Sequence, residues 1–312
     1  MKIISFKDIA SLNITPANCV EWAKEAFLNK YKCDLPPKIC QRLPDDVFIT
    51  SMPCILPDLG IGGIKIVGRF PLREPSLNSV IVLYEFTSGE FLAMMDADWI
   101  TTMRTGAVAA LAIETLANHN YEKIGIIGLG NTARATIKCL LTLQSRKLDI
   151  KLKKYKKQAE LFRDYFKEYS NINFNIVDNN YKLIKDSDVV LSCVTVANEI
   201  IGKDEWYEQG VLVVPVHTKG FQNCDLFFDR IFVDDIGHVN SFKYFNQFKY
   251  CKEFSLVLKG EDPGRQDESE RLLAYNIGIA LQDIFFASKI FNILGNSIID
   301  IDLQKAVNKF WV

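Results

Sequence analysis

Residues 123–143 read KIGIIGLGNTARATIKCLLTL. The opening KIGIIG is a β-branched run typical of a buried strand, and TARATIKCLLTL has the apolar spacing of a helix. Between them lies a Gly-x-Gly-x-x-Ala pattern, in the context that a dinucleotide-binding loop requires. Gly128 would form the tight turn, Gly130 would let the backbone approach a pyrophosphate, and Ala133 would let the helix pack on the strand. The alternative interpretation is a plain structural turn.

The sequence after residue 123 alternates short β-branched runs with helical patterns. The later runs are LDIKLKK, NFNIV, DVVLSC, VLVVPV and RIFVDD. This alternation predicts an α/β fold with a Rossmann-type, doubly wound parallel sheet. Residues 236–268 are polar and predict irregular structure. The stretch ESERLLAYNIGIALQDIFFASKIFNILGN, residues 268–296, predicts one long apolar helix.

The first part of the chain mixes helical and strand patterns. ITPANCVEWAKEAFLNKY predicts an amphipathic helix that begins at Thr15–Pro16. NSVIVLYEFTSGEFLAMMDA predicts two strands joined by a turn at Ser88–Gly89. WITTMRTGAVAALAIETLANH is apolar nearly all round, with a late charge only at Glu114, and predicts a long buried helix.

Length and composition narrow the class of protein. The 312 residues suggest about two domains, and the net charge of -1 argues against a nucleic-acid or membrane-surface protein. No apolar run reaches the length of a membrane span, and the N-terminus lacks the apolar core of a signal peptide. Eight cysteines without a CxxC pair predict reduced thiols in the cytoplasm, and three histidines make a metal site improbable.

The end of the second predicted Rossmann strand bears on the cofactor. An NAD site usually has an acidic residue there, whereas this chain has Lys153 and Lys154, followed by Lys156 and Lys157. Ammonium groups favour a 2′-phosphate, so the sequence predicts NADP, with NAD as a possibility and a solvated lysine face as the alternative. Thr105, Asn131 and Thr132 are further candidates for contacts with the cofactor.

Three cations lie in largely apolar sequence: Arg42, Lys65 and Arg104. Each could be a snorkelling surface residue, but together they would form a clamp for a carboxylate. His217 follows the predicted strand VLVVPV, and His238 follows VDDIG. Either histidine could move a proton near neutral pH or be a hydrogen-bonded structural residue.

These motifs together resemble the ornithine cyclodeaminase/mu-crystallin family, from Arg42 to about Gly295. The resemblance rests on GGIKIVGRFP, on LAMMDADWITTMRTGAVAALAIETLA leading into GIIGLGNTA, and on KGEDPGRQDESERLLAYNIGIALQDI. It implies a discontinuous α+β substrate and dimerisation domain, residues 1–117 plus 273–312, in which a Rossmann domain, residues 118–272, is inserted. It also implies a homodimer.

The resemblance assigns the carboxylate of the substrate to Arg42, Lys65 and Arg104. It implies hydride transfer at C2 of an amino acid or its imine, and the leading hypothesis is therefore an NADP(H)-dependent oxidoreductase. One alternative is an ornithine cyclodeaminase-type lyase with a bound cofactor. Another is a mu-crystallin-like protein that binds NADPH and a small ligand.

One loop departs from the family pattern. Where ornithine cyclodeaminases have Gly-Gly/Ala-Asp-x-Pro-Gly-Lys, this chain reads PVHTKGFQNCDLFFD. Lys219 takes the place of the aspartate, and a lysine would repel a substrate ammonium group. Asp225 is the nearest carboxylate and could substitute. We therefore expect Lys65, His217, Lys219 and Asp225 to be the candidate catalytic residues, with His217 or Lys219 exchanging a proton at nitrogen.

Overall fold

The computed structural model describes residues 1–195, 197, 199–217, 221, 226–295 and 299–302. They divide into two compact units. The first contains Met1–Asn13, Lys32–Thr101 and the described part of Asp283–Val312, and the second contains Ile14–Tyr31 and Thr102–Gln282. These limits differ from the boundaries predicted above, and the assignment of residues to substrate and cofactor domains stays a prediction.

The first unit is built on a six-stranded sheet in the order β1-β6-β5-β4-β3-β2. The strands are β1 (Lys2–Ile4), β2 (Ile39–Arg42), β3 (Phe48–Leu56), β4 (Ile61–Arg69), β5 (Leu77–Glu85) and β6 (Phe91–Asp96). Strand β1 runs parallel to β6, and the other pairs are antiparallel. Helix α1 (Phe6–Ser11) follows β1. One face of the sheet is buried, and the alternate residues on the other face stay partly exposed, as the period of two requires.

The predicted hairpin is confirmed as β5 and β6. Gly89 has φ +73°, the left-handed conformation that glycine adopts without a steric cost. The Glu85 carboxylate accepts hydrogen bonds from the backbone N–H groups of Thr87 and Ser88. Hydrogen bonds from the Ser88 and Thr87 side of the turn lower the pKa of Glu85 to about 2.

The second unit contains an eight-stranded sheet in which every pair is parallel, in the order β13-β12-β14-β11-β10-β7-β8-β9. Its strands are β7 (Lys123–Ile127), β8 (Leu148–Lys153), β9 (Ile172–Val177), β10 (Val189–Ser192), β11 (Leu212–Pro215), β12 (Arg230–Val233), β13 (Cys251–Glu253) and β14 (Leu272–Tyr275). Strands β8 and β9 lie on one side of β7, and β10 and β11 lie on the other, so the strand order reverses between β7 and β10, where doubly wound sheets bind ligands. The predicted α/β fold class is confirmed.

Further helices follow α1 along the described chain. They are α2 (Pro16–Leu28), α3 (Asp98–Leu116), α4 (Asn131–Leu143), α5 (Gln158–Tyr165), α6 (Asn180–Ile184), α7 (Ile236–Val239), α8 (Phe254–Leu258) and α9 (Ala280–Leu294). Thr15 caps α2, with Pro16 in its first turn, as predicted. Ala107, Ala109 and Ile113 of α3 have no exposed surface, which confirms the buried Ala-rich helix.

Two local predictions are wrong. Residues 268–279 are not part of a long helix, because Leu272–Tyr275 form β14, inserted between β11 and β12. LLAY is a fully buried run of four apolar residues, and periodicity alone does not separate such a strand from a helix. Residues 236–268 are more ordered than predicted and contain α7, β13 and α8. No helix within the described ranges is long and apolar enough to cross a bilayer.

Candidate active site

The glycine-rich loop lies between β7 and α4, as predicted. Gly128 has φ +82°, and a Cβ there would lie 2.6 Å from the carbonyl oxygen of Cys193. Only glycine therefore fits this turn. Gly130 is the N-cap of α4, and a Cβ there would meet no atom within 4 Å, so the backbone borders open space. Ala133 is fully buried. The first turn of α4 therefore presents its N–H groups at an accessible edge, an arrangement that binds a pyrophosphate.

Two of the three further cofactor candidates, Asn131 and Thr132, begin α4 within this loop, and the third, Thr105, lies on α3. Asn131 is exposed, and Thr132 and Thr105 are half-buried. Thr105 precedes Gly106, at which a Cβ would lie 2.5 Å from the Cβ of Ala135. Helices α3 and α4 thus pack at very close range beside the loop. Gly106 was not predicted from the sequence, although a glycine in an Ala-rich helix is the signal for such packing.

The carboxyl end of β8 carries lysines and no carboxylate. Lys153 donates a hydrogen bond to the carbonyl oxygen of Asp178, whereas Lys154, Lys156 and Lys157 are exposed. Residues 151–158 read KLKKYKKQ, so no acidic side chain from this segment is available to a ribose hydroxyl. The local charge is suited to a phosphate.

His217 lies just beyond β11, at the same edge of the sheet as the glycine-rich loop. Its Nε2 is 2.7 Å from the hydroxyl oxygen of Ser192, the last residue of the neighbouring strand β10. The next residue, Cys193, is the one that packs against Gly128. His217 is thus oriented by a buried hydroxyl close to the predicted cofactor loop. His238, in contrast, lies on α7, where its Nδ1 is 2.8 Å from Asp235.

Arg104 is buried in the second unit, beside a turn at the carboxyl end of β14. A Cβ at Gly278 would lie 2.7 Å from Nη1 of Arg104, so the guanidinium packs directly on this glycine. The backbone N–H of Gly278 donates to Asp234, 2.8 Å away, and the Asn276 side chain donates to the same carboxylate at 3.1 Å. Asp234, buried at the end of β12, holds the turn that accommodates Arg104.

Lys65 is 1% exposed on the buried face of β4. Its Nζ is 2.6 Å from Oδ2 of Asp283, which has no exposed surface and lies in the first turn of α9. The alternative interpretation of Lys65 as a snorkelling surface residue is wrong, because both charged groups are buried. Helix α9 packs tightly here, since a Cβ at Gly63 would lie 2.8 Å from Ile284.

Arg42 ends the edge strand β2 and is exposed. Arg42 pairs in register with Phe48 of β3. Met52 lies four residues further along β3 and pairs in register with Lys65 of β4. Side chains alternate along a strand, so Arg42 and Lys65 share one face of the sheet. Arg104 belongs to the other unit, and the predicted convergence of all three cations stays a prediction.

Two candidate catalytic residues, Lys219 and Asp225, lie outside the described residues. Sequence reasoning missed Ser192, Asp234 and Asp283. Asp283 did carry a signal, since it is a single acidic residue in the apolar stretch IALQDIFFA. Among the positions that the structure describes, no three His, Cys, Asp or Glu side chains are grouped to hold a metal ion.

Comparison with known proteins agrees with this architecture. The model of the ornithine cyclodeaminase/mu-crystallin family matches residues 2–297. The nodulation efficiency protein NfeD of Rhizobium meliloti is 26% identical over 313 residues, covering 93% of this chain and 94% of that protein. A Delta(1)-pyrroline-2-carboxylate reductase of Bacillus thuringiensis subsp. konkukian is 23% identical over 260 residues, covering 77% of this chain and 79% of that protein.

A solved structure has the same fold. The Delta(1)-pyrroline-2-carboxylate reductase of Thermococcus litoralis, determined in complex with NADH and L-proline, superposes with a TM-score of 0.84. The match covers 94% of this chain and 97% of that chain, at 22% sequence identity. This likeness confirms the fold.

Proposed function

Since this chain belongs to the ornithine cyclodeaminase/mu-crystallin family, we propose that it is an NADP(H)-dependent oxidoreductase acting at C2 of a 2-amino acid or of its imine. The predicted family and enzyme class, an NAD(P)-dependent oxidoreductase, are confirmed. The observation that carries the proposal is the Gly128–Ala133 loop at the switch point of a parallel sheet, with His217 at the same edge. Relatives named as pyrroline-2-carboxylate reductases support a cyclic imino acid as the first substrate to test.

The cofactor is held by the glycine-rich loop and its neighbours. The bound nicotinamide supplies or accepts the hydride. The N–H groups of the first turn of α4 bind the pyrophosphate, and Lys154, with Lys153 beside it, binds the 2′-phosphate. The absence of a carboxylate in residues 151–158 supports NADP over NAD. Asn131, Thr132 and Thr105 complete the contacts.

The carboxylate of the substrate is bound by Arg42, Lys65 and Arg104. The arginines supply forked donors and Lys65 a compact charge, and together they orient C2 for the reaction. The buried setting of Lys65 and Arg104 supports this role, because a weakly solvated cation binds an anion more strongly than an exposed one does.

His217 exchanges the proton at the substrate nitrogen. The hydrogen bond with Ser192 orients its ring, which supports this role over a purely structural one. Lys219 is the second candidate for the same proton, and Asp225 is the carboxylate that a lyase would need near a distal amine.

The assembly is a homodimer formed through the partly exposed face of the first sheet. Ile66 and Met94 are 45% and 41% exposed on this face, and Ile64 and Val82 lie beside them in register. An apolar surface of this kind is typical of a subunit interface. The setting is cytoplasmic, in keeping with free cysteines at all seven described positions, since thiols such as the half-buried Cys33, whose pKa burial raises to about 11, stay reduced there.

Turnover with purified protein tests the proposal. NADPH and NADH are each offered with cyclic imino acids and with 2-oxo acids plus amines, and the nicotinamide absorbance is followed. Oxidation of NADPH by a panel member is expected. If no member is reduced, ornithine is tested for ammonia release without net change in the cofactor, which would identify the lyase instead. Binding of NADPH without either reaction would favour the mu-crystallin-like binding protein.

A further inference from the structure

Asp283 lies outside the motifs that define the dinucleotide site, and its carboxylate forms a buried ion pair with Lys65. We propose that Asp283 is a positioning residue for catalysis, whose carboxylate keeps Lys65 charged and directed towards the carboxylate of the substrate. This inference rests on the proposed function.

The burial of the pair makes this dependence strong. Lys65 and Asp283 are 1% and 0% exposed, and Nζ and Oδ2 are 2.6 Å apart. An ammonium group taken out of water loses its hydration, and burial alone favours the neutral amine. A carboxylate at hydrogen-bond distance reverses this preference. Asp283 therefore determines whether Lys65 is a cation when the substrate arrives.

The described strand neighbours of Lys65, and the residue before Asp283 on α9, carry no charge. Its in-register neighbours are Met52 on β3 and Ile81 on β5, which do not ionise. Cys54, on β3, is buried near Asp283, and burial together with nearby negative charge raises the pKa of its thiol, which is neutral at physiological pH. On α9, the neighbour of Asp283 is the uncharged Gln282.

The packing of α9 also fixes the position of the Asp283 carboxylate relative to Lys65. Asp283 lies in the first turn of α9, which is anchored on the sheet by the contact between Ile284 and Gly63. The Lys65–Asp283 pair by itself has no net charge, so it does not repel an anionic substrate as a second carboxylate beside Lys65 would.

Asp283→Asn tests the proposal because it keeps the shape of the side chain and removes its charge. In the variant, we expect the fall of kcat/KM on the alkaline side to move to lower pH by about 1 to 3 pH units. In the alkaline range the KM for the imino acid rises, and lowering the pH restores it towards the wild-type value.

Asp262→Asn is the matched control. Asp262 is also buried and pairs with Arg230 at 3.1 Å, but it lies away from the residues assigned to substrate or cofactor. We expect this variant to be destabilised and to keep the wild-type pH profile. An unchanged pH profile in Asp283→Asn, with the protein folded, would overturn the proposal.

A second measurement does not depend on turnover. The ¹³Cε resonance of Lys65, assigned as the lysine signal that Lys65→Met removes, reports the protonation of its ammonium group. We expect this resonance to titrate at lower pH in Asp283→Asn than in the wild type, and an identical titration would refute the electrostatic role. If the proposed function is wrong, the wild-type protein itself will not reduce an imino acid. If only the role of Asp283 is wrong, the wild type will be active and the two titrations will be identical.

Discussion

Two buried lysines in this chain have different electrostatic surroundings. Lys65 forms an ion pair of 2.6 Å with the carboxylate of Asp283. Lys30, 4% exposed in the second unit, lies 2.8 Å from Asp235 and 2.6 Å from Glu253. The acids around Lys30 have further partners, since Tyr31 donates to Glu253 at 2.6 Å and Nδ1 of His238 is 2.8 Å from Asp235.

The difference indicates which lysine can take a substrate. The Lys65–Asp283 pair by itself is neutral, whereas the two acids that contact Lys30 outnumber its charge. A substrate carboxylate would be repelled at Lys30. We therefore expect Lys65 to serve the reaction and Lys30 to hold the end of α2 against the segment that follows β12.

The largest expected effect is a loss of activity when Lys65 is replaced, compared with a loss of stability when Lys30 is replaced. Lys65→Met is expected to lower kcat/KM by about 100-fold or more, because the anchoring and charge at the substrate are lost. Lys30→Met leaves the buried Glu253 and the half-buried Asp235 without their cation and should lower the free energy of unfolding by about 3–5 kcal/mol. Its kcat/KM should stay within a few-fold of the wild type. Steady-state kinetics and urea unfolding of both variants measure this contrast, and a folded Lys30→Met enzyme with the same loss of activity as Lys65→Met would remove the distinction.

Arg104 extends the comparison to the second unit. Arg104→Lys keeps the charge but loses the forked donor, and we expect the KM for the imino acid to rise by about 10- to 100-fold. Arg146→Lys is the matched control, because Arg146 pairs with Glu114 at 3.0 Å on a partly exposed surface. Equal KM values for the two variants would show that Arg104 does not bind the substrate.

The exposed lysines that follow β8 should have a smaller effect, limited to the cofactor. Lys154→Glu is expected to shift the preference for NADPH over NADH by about ten-fold towards NADH, since a carboxylate repels the 2′-phosphate. Lys147→Glu makes the same change at an exposed lysine just before β8, at the opposite end of the strand, and should leave the preference unchanged. Titration of each variant with both cofactors measures this, and a constant ratio in Lys154→Glu would argue against NADP specificity.

The smallest expected effect is a pH dependence at Lys30. Burial tends to raise the pKa of the Asp235 carboxyl, but hydrogen bonds and charge from His238 and Lys30 outweigh burial and lower it below its usual value. A lowered pKa in the folded state stabilises the protein above the unfolded-state value, and this stability is lost as the pH falls. The stability difference between the wild type and Lys30→Met should therefore narrow from pH 7 towards about pH 3. If urea unfolding shows the same stability difference between the wild type and Lys30→Met across this pH range, Lys30 does not lower the pKa of Asp235 as stated.

Local patterns in the sequence were enough to predict the elements around the cofactor loop. Gly128, Gly130 and Ala133 define a strand, a turn and a helix within a few residues, and the structure has β7 and α4 there. Strand β14 could not be predicted in the same way, because its place between β11 and β12 depends on long-range pairing and its four residues carry no strand-specific period.

The candidate site was predictable residue by residue but not in its pairings. Lys65 and His217 stood out by residue type and position. Their partners Asp283 and Ser192 are distant in the chain, and they become neighbours only through the packing of α9 on the first sheet and the register of β10 with β11. The charge balance that distinguishes Lys65 from Lys30 follows from those contacts.

Isotope transfer tests the central claim most directly. NADPH that carries deuterium at the transferable position of C4 is incubated with the enzyme and a five-membered cyclic imino acid that bears its carboxylate on the imine carbon. The product amino acid is then analysed by mass spectrometry and NMR. The account predicts one deuterium per molecule, located at C2. Turnover of amino acid with ammonia release and no net oxidation of NADPH, or a product without deuterium at C2, would contradict it.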